Sequence, residues 1–242
     1  MAIVKSIVPN QKGLVFFIHG FLSSCSRPHC KFLSEIYQRK GFSVIMINTT
    51  HSLEEGDGKP ELATITNFLN DLEDIIEWSK TQEFYQEPFA LLGSSLGGIC
   101  VFLYAERNPE KINSIINTAP VISGDLSVKC KSEEEIKEWK EKKYKEYKLR
   151  NGRIFKVPWS HVQDRLKYDA LKEANKLTMP VMIFVGDKDH ITPLEHQKMM
   201  IDKILGKKKL VVFDDTSHSE IGAEKNLERL KKEIDNWLEV IK

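Results

Sequence analysis

Phe89-Ala90-Leu91-Leu92-Gly93-Ser94-Ser95-Leu96-Gly97-Gly98 passes from an apolar run, through a turn of small residues, into a helix-like stretch. Ser95 stands at the centre of Gly93-x-Ser95-x-Gly97, the setting of a nucleophile lifted out of a sharp strand-to-helix elbow. Such a turn brings strand and helix so close that side chains two positions either side of the serine would collide. Small residues relieve that crowding. The motif alone is a hypothesis, and the chain around it has to supply the context.

On either side of this stretch, short apolar runs alternate with helix-patterned segments. Leu14 to Ile18, Ser43 to Ile47, Phe89 to Leu92, Ser114 to Asn117, Val181 to Val185 and Leu210 to Phe213 read as buried strands. Buried, β-branched runs separated by helices predict a mostly parallel sheet flanked by helices on both faces, an α/β fold. Ile65, Phe68, Leu69, Leu72, Ile75 and Ile76 fall on one helical face, as do Leu227, Leu230, Ile234, Trp237, Leu238 and Ile241. Both helices are expected to pack on the sheet. Ile3 to Val8 adds an edge strand, with Pro9-Asn10 turning the chain.

The bulk numbers agree with one α/β domain. A chain of 242 residues, 41% hydrophobic and 29% charged, is ordinary for a globular protein with a sizeable core. The formal net charge of +1 gives no electrostatic reason to expect nucleic acid. No apolar run approaches the length of a membrane span and the first residues lack a signal-peptide core, so a cytoplasmic location is expected. Cys25, Cys30, Cys100 and Cys130 have no paired spacing and read as reduced thiols.

The alternation is interrupted between Pro120 and about Thr178, farther apart than a single crossover helix requires. We assign residues 1–120 and 176–242 to the core and 121–175 to an inserted helical lid. Ser132-Glu133-Glu134-Glu135 has a capping-box pattern opening a highly charged helix, with Glu133/Lys137, Glu138/Lys142 and Glu141/Lys145 as supporting pairs. Its narrow apolar stripe is Ile136, Trp139 and Tyr147. A solvated helix with one thin contact face suits a lid over a pocket.

A serine hydroxyl is a weak nucleophile unless a neutral imidazole takes its proton and a carboxylate holds that imidazole in the correct tautomer. Gly186-Asp187-Lys188-Asp189-His190 follows one strand and Asp214-Asp215-Thr216-Ser217-His218 the next. The order serine, acid, histidine is the one that accompanies such an elbow, with Asp187 and Asp189 both available as the acid.

With these motifs in place, the chain resembles an α/β-hydrolase-fold serine hydrolase over nearly its whole length outside the insertion. The resemblance implies that the acid sits in a G-x-x-D-x-x-x-P setting, which maps onto Gly186, Asp189 and Pro193 and selects Asp189. It leaves His218 as the base, since His190 adjoins the acid and His196 falls within the next helix. It also implies an oxyanion hole made by the backbone N–H of Leu96 and that of Phe21 in His19-Gly20-Phe21-Leu22, with Leu22 a weaker candidate for the second donor. His19 itself reads as a brace for that loop.

The chain is similar to small carboxylesterases of the cinnamoyl-ester and monoacylglycerol types and to serine aminopeptidase-like hydrolases. That resemblance implies cleavage of small-molecule carboxylic esters through an acyl-enzyme on Ser95. A peptidase, amidase or thioesterase on the same fold and a non-catalytic ligand-binding relative are the alternatives. No His or Cys cluster has metal-ligand spacing and no glycine-rich loop reads as a phosphate cradle, so neither metal nor cofactor is expected. The oligomeric state is left open. Two departures from the family pattern are Asn48-Thr49-Thr50-His51-Ser52, where many relatives carry an Asp-x-Arg-Gly type sequence, and the short stretch before His19.

Overall fold

The computed structural model describes residues 1–241. Seven strands form the central sheet: β1 (Ala2–Ser6), β2 (Gly13–Ile18), β3 (Phe42–Asn48), β4 (Phe89–Ser94), β5 (Ile112–Thr118), β8 (Val181–Gly186) and β9 (Lys208–Phe213). Their spatial order is β1-β3-β2-β4-β5-β8-β9, and every pairing is parallel except that of the edge strand β1 with β3.

The central strands are apolar at nearly every position because both faces of the sheet are covered. In β2 the alternation divides one strand between two cores. Leu14, Phe16 and Ile18 pack with α2 (Ile65–Ser79) and α3 (Leu96–Arg107), while Val15 and Phe17 pack with α1 (Pro28–Arg39) and α8 (Glu224–Val240). The face of α2 read from sequence, Ile65 to Ile76, is buried. So are Leu230, Ile234, Trp237 and Leu238 of α8. Each such side chain removed from water contributes about 1.5–3 kcal/mol, which is what holds these amphipathic helices on the sheet. The helix α7 (Leu194–Lys203) completes the first face through Met200.

The connection between β5 and β8 departs from a purely helical insertion. It holds α4 (Gly124–Lys129), α5 (Glu133–Lys142), the antiparallel pair β6 (Tyr144–Lys148) and β7 (Ile154–Pro158), and α6 (Ser160–Arg165). Ser132 caps α5 by accepting from the Glu135 N–H at 3.1 Å, as its sequence pattern implies. The helix runs for ten residues and stops at Lys143, whose φ of 66° is left-handed. Tyr147 therefore lies on a strand, and Lys145 pairs with Glu135 instead of Glu141. The signal for this hairpin is in the chain: Asn151-Gly152 sits between two runs of alternating polarity, a strong short-range turn pattern.

The insertion has its own small core, Trp139, Val157 and Val162, against which Phe21 of the β2 loop packs. Trp139 is buried and donates its indole N–H to the Val157 carbonyl at 2.9 Å. Two contacts from α6 tie the insertion to the main body. His161 Nδ1 donates to the Ala63 carbonyl at 2.8 Å, and Asp164 accepts from both the N–H, at 3.0 Å, and the hydroxyl of Thr66. Thr66 lies in the first turn of α2, so Asp164 satisfies an N–H that the helix leaves free. No described helix is long and apolar enough to cross a membrane.

Candidate active site

In a parallel sheet all strands deliver their following loops to one edge, and ligands bind outside the strand carboxyl ends. The loops after β2, β4, β8 and β9 bring His19-Gly20-Phe21, Ser95, Asp189 and His218 to that edge.

Ser95 links β4 to α3 with φ 51° and ψ −112°, a conformation that costs a non-glycine residue about 1–3 kcal/mol and persists only where its surroundings enforce it. The enforcement is visible. Ser95 N–H donates to the Thr118 carbonyl at 3.0 Å, and the Ser95 carbonyl accepts from Gly98 at 3.0 Å and Val121 at 2.9 Å. A Cβ on Gly97 would meet the His19 carbonyl oxygen at 2.4 Å, and one on Gly93 would meet Asn117 Oδ1 at 2.5 Å. These are the collisions that the glycine spacing anticipates.

The Ser95 hydroxyl donates to His218 Nε2 at 2.9 Å, and His218 Nδ1 donates to Asp189 Oδ2 at 2.7 Å. Asp189 is buried, and it accepts the N–H groups of Ile191 at 2.9 Å and Thr192 at 2.8 Å on its other oxygen. Burial alone would push this carboxyl up, but the hydrogen bonds and charge of His218 and the Thr192 bonds outweigh it and hold the group below its ordinary value. The loop is thus arranged around an ionised Asp189.

Asp187 is exposed and accepts from the Thr216 N–H at 3.2 Å, joining the β8 and β9 loops. Thr192 is a participant that the motifs do not announce. Its hydroxyl lies 2.8 Å from Asp189 Oδ2, 3.1 Å from the Ala119 carbonyl and 3.2 Å from His218 Nδ1. It occupies the position before Pro193 in the acid motif, but only the fold shows that it reaches the imidazole.

His19 is buried and points into the protein. Its Nδ1 donates to the Gly20 carbonyl at 2.8 Å and its Nε2 accepts from the Thr49 N–H at 3.3 Å. Burial pushes its pKa down to about 4, so it stays neutral and braces the loop. That loop passes close to the serine: a Cβ on Gly20 would lie 3.0 Å from the Ser95 Cβ. Leu96 begins α3, and its N–H has no acceptor within the helix.

A cavity of about 450 Å³ is lined by Ser95, His218, Gly20 and Phe21 together with residues of α1, α8 and the β6–β7 turn. No Asp or Glu lines it. The Glu133-Glu134-Glu135 cluster is elsewhere, in the first turn of α5, where it complements the helix dipole. Among the described residues no group of three or more His, Cys, Asp and Glu side chains has the arrangement of a metal site.

Residues 9–169 match the family described as Hydrolase_4, serine aminopeptidase S33. The chain is similar to the mitochondrial palmitoyl-protein thioesterase ABHD10 of Bos taurus, 23% identical over 93% of this chain and 72% of that protein. Against the Mus musculus protein it is 25% identical over 79% of this chain and 63% of the relative. Among solved structures, Est1E from Butyrivibrio proteoclasticus with ferulic acid bound superposes with a TM-score of 0.81 at 20% identity, covering 98% of this chain and 93% of that one. The mouse alpha/beta hydrolase domain-containing protein 10 superposes with a TM-score of 0.80 at 21% identity, covering 99% and 94%. The fold is the α/β-hydrolase fold.

Proposed function

The chain belongs to the hydrolase family described as Hydrolase_4, serine aminopeptidase S33, and from that membership we propose that it cleaves carboxylic esters through an acyl-enzyme on Ser95. The observation that carries this reading is the continuous hydrogen-bond relay from Ser95 through His218 to Asp189.

In the proposed reaction His218 Nε2 takes the Ser95 proton as the oxygen bonds to the substrate carbonyl carbon. The bond to the leaving alcohol then breaks, and the alcohol departs with the proton from His218. Water, deprotonated by the same imidazole, attacks the acyl-enzyme and releases the acid and the free serine. Asp189 holds the tautomer with Nδ1 protonated and stabilises the imidazolium as it forms. The N–H groups of Phe21 and Leu96 serve as the oxyanion donors, each worth about 3 kcal/mol in the transition state. Residues 121–175 act as the lid, with the Trp139 cluster steadying Phe21 from above.

A peptidase that holds a substrate amine needs a carboxylate in its pocket. The cavity has none, which favours an ester over an amino-terminal peptide. A thioester is the second reading. It uses the same acyl-enzyme with a thiol as leaving group, and the relatives from Bos taurus and Mus musculus are named as palmitoyl-protein thioesterases.

The test is fluorophosphonate labelling with peptide mapping, together with a panel of para-nitrophenyl esters and matched acyl thioesters of increasing chain length. Label on Ser95 with turnover of short esters is the expected result. Label elsewhere, or turnover that survives Ser95→Ala, overturns the assignment.

A further inference from the structure

The wall of the cavity carries charge of one sign. Arg27, immediately before α1, and Arg150, in the turn between β6 and β7, both line it, and no carboxylate does. Both side chains are exposed at the mouth, and among the described residues neither is in an ion pair. Arg150 Nη2 donates to Ser219 Oγ at 2.8 Å, which anchors this guanidinium one residue from His218.

The acidic groups around the two arginines are engaged elsewhere. Glu54 accepts from the hydroxyls of Ser26 and Ser24, which hold its carboxyl below the ordinary range with help from the Arg27 and Arg153 charges. Glu220 accepts from the hydroxyl and N–H of Ser217 and is held low by them first, then by the charges of Lys225 and Arg150. Neither lines the cavity. His29, on the same wall, is pushed down to about 4 by burial and by Arg27, so it adds no charge. The remaining wall mixes apolar side chains, Leu22, Leu33, Ile221 and Leu230 beside Phe21, with the uncharged polar groups of Ser23, Asn151 and Ser219.

A pocket with a nucleophile at its base, apolar side chains on part of its wall and two guanidinium groups that have no ion-pair partner among the described residues is built for a molecule with an acyl ester at one end and an anion at the other. We propose that the preferred substrates are esters bearing a carboxylate or phosphate set off from the scissile carbonyl, received by Arg27 and Arg150. This rests on the reading of Ser95 as the nucleophile and adds the charge class of the substrate.

The experiment compares para-nitrophenyl hydrogen glutarate with para-nitrophenyl valerate, of equal chain length and differing in the terminal charge. In parallel, glutarate and phenyl phosphate compete with fluorophosphonate labelling of Ser95, which separates a carboxylate preference from a phosphate preference. The expected kcat/KM ratio of anionic to neutral ester is about 10 or more, falling several-fold with added salt. Arg27→Gln and Arg150→Gln should each bring the ratio toward one, and Arg153→Gln, outside the cavity, should leave it as it is. In the labelling arm at least one anion should slow modification of the wild type and lose that effect in both cavity variants.

Equal kcat/KM for the two esters, with neither anion slowing the label, overturns the proposal while leaving Ser95 as the nucleophile. A preference that persists in both cavity variants also overturns it. Failure of the fluorophosphonate to modify Ser95 removes the underlying reading, and the proposal with it.

Discussion

Ser95 Oγ and His218 Nε2 lie 2.9 Å apart although 123 residues separate them in the chain. The contact exists because β4 and β9 end at the same edge of one sheet, with β5 and β8 between them. On the proposed mechanism this is the distance across which the first proton moves. Ser95→Ala should therefore lower turnover of a short para-nitrophenyl ester by about 10⁴-fold or more. The far-ultraviolet circular dichroism and thermal midpoint should change little, because the elbow is held by backbone bonds to Thr118, Gly98 and Val121.

Asp189 and Asp187 stand two residues apart and make different bonds. Asp189→Asn should cost about 10³- to 10⁴-fold in kcat, by presenting an amide where His218 Nδ1 needs an acceptor. Asp187→Asn keeps an oxygen for the Thr216 N–H and should cost less than about threefold in the same assay. The reverse ranking would move the acid to Asp187. Thr192→Val should fall between the two, since it removes a hydroxyl shared among Asp189, Ala119 and His218 while keeping the side-chain volume.

Gly97 tests the elbow by sterics alone. The atoms a Cβ would meet are the backbone carbonyl oxygens of His19, at 2.4 Å, and Ile18, at 2.6 Å, which cannot swing aside as a flexible side chain can. Gly97→Ala should cost about 1–3 kcal/mol of stability in denaturant unfolding and displace the β2 loop enough to lower ester turnover sharply. Unaltered stability and turnover would show that the loop has slack that the structure does not.

Glu106 gives the pH dependence of stability. It is buried on α3 with Oε1 unpartnered among the described residues. Its carboxyl is raised from 4.5 to about 8 by burial first and then by the charges of Glu173 and Asp169. The folded chain thus keeps a proton that the unfolded chain releases. The resulting stability is full below about 4.5, declines as pH rises and is lost above about 8. Glu106→Gln should match the wild type near the acid end of that window and exceed it in thermal midpoint near the alkaline end. A difference that is constant across the window would show that Glu106 does not titrate within it.

The positions of the main strands, the buried faces of α2 and α8, and the order of the three relay residues can be read from the chain, because local periodicity and turn chemistry dictate them. The elbow glycines are equally legible: crowding around Ser95 is a local consequence of turning a strand directly into a helix. The insertion is less so. Ser132 caps its helix as expected, but the charged pairs after it suggest a helix longer than α5, and the strand-forming alternation around Asn151-Gly152 prevails once β6 and β7 pair.

The linear chain thus dictates a set of reactive groups and the sheet edge at which they emerge, since strand direction and loop position follow from apolar runs and breakers. Folding in three dimensions selects which of those groups touch. That Asp189 meets His218 while Asp187 turns to Thr216, that Thr192 joins the relay, and that Arg27 and Arg150 share one cavity without a carboxylate all depend on contacts between distant segments. Such contacts are settled by packing to ångström precision, and no local pattern in the chain encodes that distance.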